Sequence, residues 1–163
     1  MCIRDRGYPR ADLRLIDQGR ALEQLTNARS AAEFQRQANG AEPWESPSCL
    51  SMAGGDLAED EVLKQLGTGL YVGNLWYLNY SDQSAARLTG LTRFACFWVE
   101  DGQIQAPVST MRFDDSVYSL LGSQLEALTR TRELMLSTST YGQRQTGSSH
   151  LPGALVKRLT LTL

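Results

Sequence analysis

The sequence predicts an α+β fold, mainly an antiparallel β-sheet of barrel-like or sandwich form with a few short covering helices. Two observations carry that prediction. An aromatic-rich apolar alternation runs from Gly69 to Tyr80 and recurs from Arg93 to Val99. Glu100-Asp101-Gly102-Gln103 then interrupts two apolar runs, and Asp-Gly is a hairpin signal because Gly supplies the positive φ of a tight turn. At 163 residues, 42% of them hydrophobic, the chain is long and apolar enough to bury a sizeable core in one domain.

The elements follow in order. Met1-Cys-Ile-Arg-Asp-Arg6 looks like translated adapter sequence and not like a signal peptide. Residues 1–7 are therefore expected to be a non-native leader and 8–163 the domain, a fragment whose natural N-terminal half lies upstream. Asp12 to Ile16 alternates as a strand, and Asp17-Gln18-Gly19 turns it back into a second one around Ala21 to Leu25. Ser30-Ala-Ala-Glu33 has capping-box spacing and predicts a short helix to about Gln37. Asn39 to Pro47 reads as loop, and Ser48 to Met52 as a short strand. Asp56-Leu-Ala-Glu59 repeats the capping logic before a helix that Gly67 ends.

The central alternation reads as one strand, with Leu70, Val72, Asn74, Trp76, Leu78 and Tyr80 facing away from Tyr71, Gly73, Leu75, Tyr77 and Asn79. Both faces carry apolar bulk, which predicts a strand covered on both sides. From Arg93 to Val99 a second strand alternates in the same way, returning through the turn over Gln103 to about Ala106, where Pro107 ends it. Val117, Leu120, Leu121, Gln124, Leu125 and Leu128 recur at helical spacing, with Asp114 or Asp115 placed at the start of that helix. Leu155 to Leu163 alternates as a strand to the last residue.

A formal net charge of −2 without a run of Lys or Arg argues against a nucleic-acid partner. No apolar stretch reaches bilayer length, so no membrane partner is expected. The three cysteines, Cys2, Cys49 and Cys96, have no metal-type spacing, and both Cys49 and Cys96 read as small apolar residues inside strands. His150, in Gly147-Ser-Ser-His150-Leu-Pro, reads as an exposed loop histidine. Ser148 and Ser149 beside it lack the oriented base that a nucleophilic serine needs. The acidic groups Asp114-Asp115 and Glu59-Asp60-Glu61 are accounted for by helix starts, without catalysis.

The block Gly69, Tyr71, Val72, Leu75, Trp76, Tyr77, followed by Thr89-Gly90, Thr92-Arg93 and Glu100-x-Gly102-x-Ile104-x-x-Pro107-Val108, resembles the C-terminal domain of the TldD/PmbA proteins, also called modulators of DNA gyrase. The likeness extends more loosely through Ala53-Gly54-Gly55-Asp56 upstream and Met111-Arg112-Phe113 downstream. It implies a cytoplasmic metallopeptidase built from TldD and TldE subunits. The catalytic TldD type would carry a His-Glu-x-x-x-His helix in its N-terminal half and a Cys ligand in its last domain. Here Thr140-Tyr141-Gly142 stands where that Cys is expected, and the chain has a single His. The resemblance therefore implies the non-catalytic TldE/PmbA-like subunit, with no cofactor in this chain, zinc in a TldD-like catalytic partner, and peptides or unfolded polypeptides as substrates. The alternative is a stand-alone peptide-binding or scaffold protein that kept the fold without the peptidase.

The candidate site lies in the aromatic block. Trp76, Tyr77, Tyr80 and Trp98 are suited to lining a groove in which an extended peptide adds as a strand, although Trp98 also reads as core. Polar residues interrupting these apolar runs need partners. Trp76, Tyr77, Asn79, Arg87 and Arg93 are the candidate substrate-binding residues. An Arg87 or Arg93 paired with Asp82 or Glu100 would be structural, and one facing a peptide carboxylate would be functional. No catalytic or metal-ligating residue is expected.

Overall fold

A computed structural model describes residues 11–162, so the predicted leader, Cys2 and the terminal Leu163 lie outside the described residues. The chain divides into two compact units, Met1–Leu50 with Met135–Ser149 and Ser51–Leu134 with His150–Leu163. The secondary structure is mainly antiparallel sheet with a few short helices, as the sequence predicts. Among the described residues every sheet is open, with two outer strands.

In the first unit, β1 (Ile16–Asp17) and β2 (Arg20–Ala21) form a hairpin much shorter than predicted. Gln18 and Gly19 take φ of 47° and 76°, the pair of positive values that a two-residue turn requires. Helix α1 spans Ala28–Glu33 and is capped by Asn27, whose Oδ1 accepts from the backbone N–H groups of Arg29 at 2.8 Å and Ser30 at 3.0 Å. The predicted Ser30 cap is thus corrected to Asn27. Tertiary anchoring decides the point, because the Asn27 N–H donates to Glu45 Oε1 at 2.8 Å and fixes the helix entry there. These bonds, that from the Asn27 N–H first and that from the Ser30 hydroxyl next, hold the Glu45 carboxyl below its ordinary pKa. Strand β3 is Cys49–Ser51, and Cys49 is exposed, not buried as expected.

In the second unit, a 3-10 turn at Glu59–Glu61 leads into α2 (Val62–Leu66). Ala58 occupies the cap position without a side-chain bond, so the predicted Asp56 capping box does not form. Gly67 ends α2 as predicted, with φ 65° and its N–H donated to the Leu63 carbonyl at 3.1 Å.

The predicted single strand from Gly69 to Tyr80 is two strands in different sheets: β4 (Gly69–Val72) and β5 (Leu75–Asp82). The break falls at Gly73, whose N–H donates to the Ala95 carbonyl at 3.0 Å. A Cβ there would meet that oxygen at 2.4 Å, so only Gly permits the approach. Beyond β5 come β6 (Arg87–Thr92), β7 (Cys96–Glu100), β8 (Gln103–Pro107) and β9 (Arg112–Ser116). The hairpin of β7 and β8 closes through Asp101 and Gly102, at φ 48° and 74°, with Glu100 opposite Gln103 as predicted. One sheet orders β4, β7 and β8.

The predicted helix from Val117 to Leu128 is corrected most strongly. Only a π-type turn forms at Ser119–Ser123, broken at Gly122, and β10 (Leu125–Leu136) follows. Pairing overrides the helical spacing here. The segment before α2 lies along β10, with bonds from the Gly55 N–H to the Thr129 carbonyl at 2.9 Å and from the Arg130 N–H to the Leu57 carbonyl at 2.7 Å. A side chain at Gly54 or Gly55 would strike the Arg130 or Leu128 carbonyl at 2.6 or 2.5 Å, which explains the glycine pair. Strand β11 is Ser148–Val156 and β12 is Leu161–Thr162, so the predicted final strand is interrupted between them. His150 lies within β11, half-buried, and not in an exposed loop. A further sheet orders β10, β11 and β3.

The sheet that carries most of the candidate residues orders β12, β9, β6 and β5. Strand β6 keeps one register against β9, from Arg87 opposite Ser116 to Leu91 opposite Arg112, so the side chains of β6 alternate strictly between two faces. Gly90, Thr92, Phe113 and Asp115 share one face and are all buried. Asp114 and Asp115 therefore belong to a strand and not to a helix start.

Candidate functional site

Facing away from that buried side is a surface built by β5, β6 and β9. Strand β5 pairs with β6 in three registers, because the ladder shifts between Tyr80 and Asp82 and a bulge intervenes between Trp76 and Asn79. Tyr77 sits in it at φ 58°, and Tyr77 and Leu78 together stand opposite Gly90. Gly90 is required there: a Cβ would meet Leu78 Cδ2 at 2.8 Å, Phe113 Cε1 at 2.9 Å and the Trp76 carbonyl at 2.9 Å. The bulge also changes the face assignment. Trp76 pairs with Leu91 and Asn79 with Thr89, and Leu91, Thr89 and Arg87 all point to the same side. Strict alternation separates Trp76 from Asn79; the bulge reunites them, so Trp76, Asn79 and Arg87 share one face.

The two candidate arginines differ in state. Arg87 donates to Asp114 Oδ1 from Nε at 2.9 Å and from Nη2 at 2.5 Å, and Nη2 also reaches the Asp114 carbonyl at 3.3 Å. The Ser81 hydroxyl and then Arg87 hold the Asp114 carboxyl below its ordinary pKa. Asp82 instead serves the turn joining β5 to β6. Its Oδ1 accepts from the Ser84 hydroxyl at 2.7 Å and from the backbone N–H groups of Ser84 and Ala85 at 2.9 and 3.2 Å. These bonds, the hydroxyl's first, lower its pKa. Arg87 is thus a structural cross-strand pair, with Asp114 and not Asp82 as its partner.

Arg93 stands just beyond β6, its N–H donated to the Asn74 carbonyl at 3.0 Å. Its guanidinium lies 5.4 Å from the centre of the Trp76 ring and 5.3 Å from that of Phe94, and the two rings meet edge to face at 6.4 Å. Glu100, its other predicted partner, accepts instead from Trp98 Nε1 at 2.8 Å. Trp98 is 36% exposed, so it is not the core residue expected of it.

The exposure of β5 overturns the prediction of a strand covered on both sides. Every residue from Leu75 to Asp82 is exposed, Tyr77 at 75% and Tyr80 at 61%, because β5 is an outer strand of its sheet. Sequence reasoning also missed Phe94, which at φ 63° swings its ring beneath Arg93; its apolar character alone suggested only a strand residue. Buried Asp115 was missed as well. Its Oδ1 accepts from the Ser116 N–H at 2.8 Å and its Oδ2 from the Thr160 N–H at 3.0 Å. Burial pushes its carboxyl up, but these bonds, that from Thr160 first, and the Arg158 charge outweigh burial and leave its pKa below the ordinary value.

Among the described residues, no group of three or more His, Cys, Asp or Glu side chains is placed to hold a metal ion. The described donors therefore do not fit a zinc site. Buried Cys96 places its Sγ 3.4 Å from the Arg93 carbonyl, and Cys49 lies elsewhere. No helix among them is long and apolar enough to cross a membrane.

These features define an antiparallel-sheet domain with a bare aromatic outer strand. More particularly, residues 2–163 match the model of the PmbA/TldA metallopeptidase C-terminal domain, and the chain belongs to that family. Its fold is similar to that of TldE from Thermococcus kodakarensis, with a TM-score of 0.78 at 14% identity over 98% of this chain and 36% of that one. It is also similar to a candidate modulator of a DNA gyrase from Thermotoga maritima, with a TM-score of 0.74 at 16% identity over 98% of this chain and 35% of that one. A third such structure, a candidate modulator of DNA gyrase from Bacteroides thetaiotaomicron, gives a TM-score of 0.68 at 15% identity over 98% and 32%. The chain thus spans about a third of the length of the solved structures it matches. No curated protein matches it.

Proposed function

We propose that this chain is the C-terminal domain of a non-catalytic, TldE/PmbA-like subunit in a cytoplasmic TldD/TldE-type zinc metallopeptidase that degrades or processes peptides. The domain contributes the interface to a TldD-like catalytic subunit and part of the wall of the peptide chamber. Zinc is held by that partner, and no step of the hydrolysis runs through residues of this chain.

Family membership supports the metallopeptidase setting. The observation that carries the role is β5, whose apolar and aromatic side chains, Trp76 at 45%, Tyr77 at 75% and Leu78 at 50%, lie open to solvent. Apolar side chains bared along an outer strand suit a place that another chain covers. Strand addition to such an edge lets main-chain bonds supply affinity with little demand on sequence, which suits a wall for varied peptides.

Tagged intact protein should retain a TldD-like partner on purification, and the pair should cleave peptides in a zinc-dependent manner. A monomer that recruits no partner and supports no cleavage would overturn this reading in favour of a stand-alone peptide-binding scaffold.

A further inference from the structure

The reading of β5 as part of a peptide wall leaves open how a peptide would be oriented on it, and the surroundings of Arg93 bear on that question. Among the described residues β5 is bonded to β6 alone, so its outer edge offers main-chain N–H and C=O groups to an added strand. Arg93 stands beside the N-terminal end of β5 on its β6 side, fixed by its bond to the Asn74 carbonyl at 3.0 Å, and its side chain extends over the Trp76 ring of β5. The Trp76 and Phe94 rings flank its guanidinium at 5.4 and 5.3 Å. Contacts with ring faces restrain the plane of a guanidinium while leaving its N–H edge available, so little further entropy is lost when an acceptor arrives. Among the described residues no carboxylate pairs with Arg93, whereas Asp114 takes Arg87. Tyr77 and Phe94, on either side of Trp76 in this arrangement, both hold positive φ, an unfavourable backbone state for aromatic residues that the surrounding structure must maintain.

We propose that Arg93 receives the C-terminal carboxylate of a peptide that adds antiparallel to β5. Direction follows from charge. An antiparallel guest ends beside Leu75, where Arg93 stands, and brings a carboxylate to a guanidinium that can bind it through two N–H groups. A parallel guest would bring its N-terminal ammonium to the same cation. The bulge at Tyr77 and Leu78 interrupts a regular ladder beyond the first residues of β5, so the terminal charge and the last few main-chain groups set the register. This inference rests on the peptide-wall reading and adds to it a polarity and a chemical end group.

The test uses the intact protein and a fluorescently labelled, threonine- and valine-rich peptide of about ten residues, long enough to span a strand, made as the free acid and as the C-terminal amide. Fluorescence anisotropy should show the free acid binding at least about tenfold more tightly, as for a desolvated guanidinium–carboxylate pair. Arg93→Gln should abolish that preference, bringing the free acid to the affinity of the amide, and Arg93→Lys should restore only part of it. Equal affinity of acid and amide for the unmutated protein, or no binding of either, overturns the assignment even if Arg93→Gln fails to fold. The broader reading fails separately, through loss of the catalytic partner on purification.

Discussion

Asp115 offers the most direct test of how this sheet is held. Its side chain is 7% exposed, and its two oxygens accept the Ser116 N–H at 2.8 Å and the Thr160 N–H at 3.0 Å. The second bond draws the chain into β12, which is also joined to β9 by the Asp114 N–H donated to the Thr160 carbonyl at 3.0 Å and by Leu161 opposite Phe113 and Thr162 opposite Arg112. Asp115→Ala removes both acceptors and leaves two backbone donors without partners, at roughly 1–3 kcal/mol each, so a total loss of about 2–6 kcal/mol is expected. At this chain length 1 kcal/mol moves the melting temperature by about 2–4 °C, which gives a fall of roughly 4–24 °C by calorimetry. Hydrogen exchange should locate the loss first in residues 157–162. Asp115→Asn keeps the shape and one acceptor and should fall between the variant and the unmutated protein. A change below about 2 °C, with no added exchange in residues 157–162, would refute the role given to this carboxylate.

The pH dependence follows with a definite sign. The folded pKa of Asp115 is depressed, so its contribution is fully present above the unfolded value of about 3.9 and is lost as pH falls through the lower folded value. Melting temperatures taken between pH 6 and pH 2 should fall less steeply in Asp115→Asn than in the unmutated protein, and identical slopes would refute the assignment.

Three further outcomes are expected. Gly90→Ala drives a Cβ to 2.8–2.9 Å from Leu78, Phe113 and the Trp76 carbonyl and should cost about 1–3 kcal/mol in denaturant unfolding; an unchanged midpoint would argue that the bulge yields freely. Asn27→Ala deletes the cap of α1 and should cost about 1 kcal/mol, whereas Ser30→Ala, within the helix, should cost less; the reverse order would favour the capping box read from sequence. Residues from Tyr8 onward, expressed alone, should be poorly soluble because β5 is bare, and Tyr77→Lys should raise the soluble fraction measured by sedimentation; a soluble, cooperatively melting monomer without the substitution would contradict this.

What could be read in the sequence was what neighbours along the chain decide. The Asp101-Gly102 turn and the Gly67 helix end were legible because each depends on one backbone angle that glycine alone adopts freely. The predicted helix over Val117 to Leu128 failed because leucines at helical spacing do not reveal that β11 and the Gly55 to Leu57 segment will pair with the same residues. Cys49 and β5 were read as covered for a related reason. Apolar content says that a residue favours burial, but the order of strands in a sheet decides which strand is left outermost. Within the candidate site, Trp76, Asn79 and Arg87 stand out in the sequence as aromatic and polar residues of one apolar block. Their common face was not legible, since unbroken alternation places Trp76 opposite to Asn79 and nothing local marks Tyr77 as a bulge.

The exposed face takes its geometry from the buried one. Gly90 has no side chain, so Leu78 and Phe113 close in where a Cβ would stand, and Phe113 is 1% exposed. Thr92, fully buried, accepts the Met111 N–H on its hydroxyl at 3.0 Å and holds the end of β6 from which Arg93 projects. The bulge that turns Trp76 and Asn79 to one side, and the position of Arg93 over the Trp76 ring, are therefore maintained by residues that no peptide would touch. A surface for varied ligands tolerates change in its exposed side chains more readily than in the core that fixes its strand edge, because main-chain bonding depends on where the backbone lies. Substitution at Gly90 or Thr92 should accordingly disturb peptide binding more than truncation of exposed Tyr80, although neither buried residue faces the ligand.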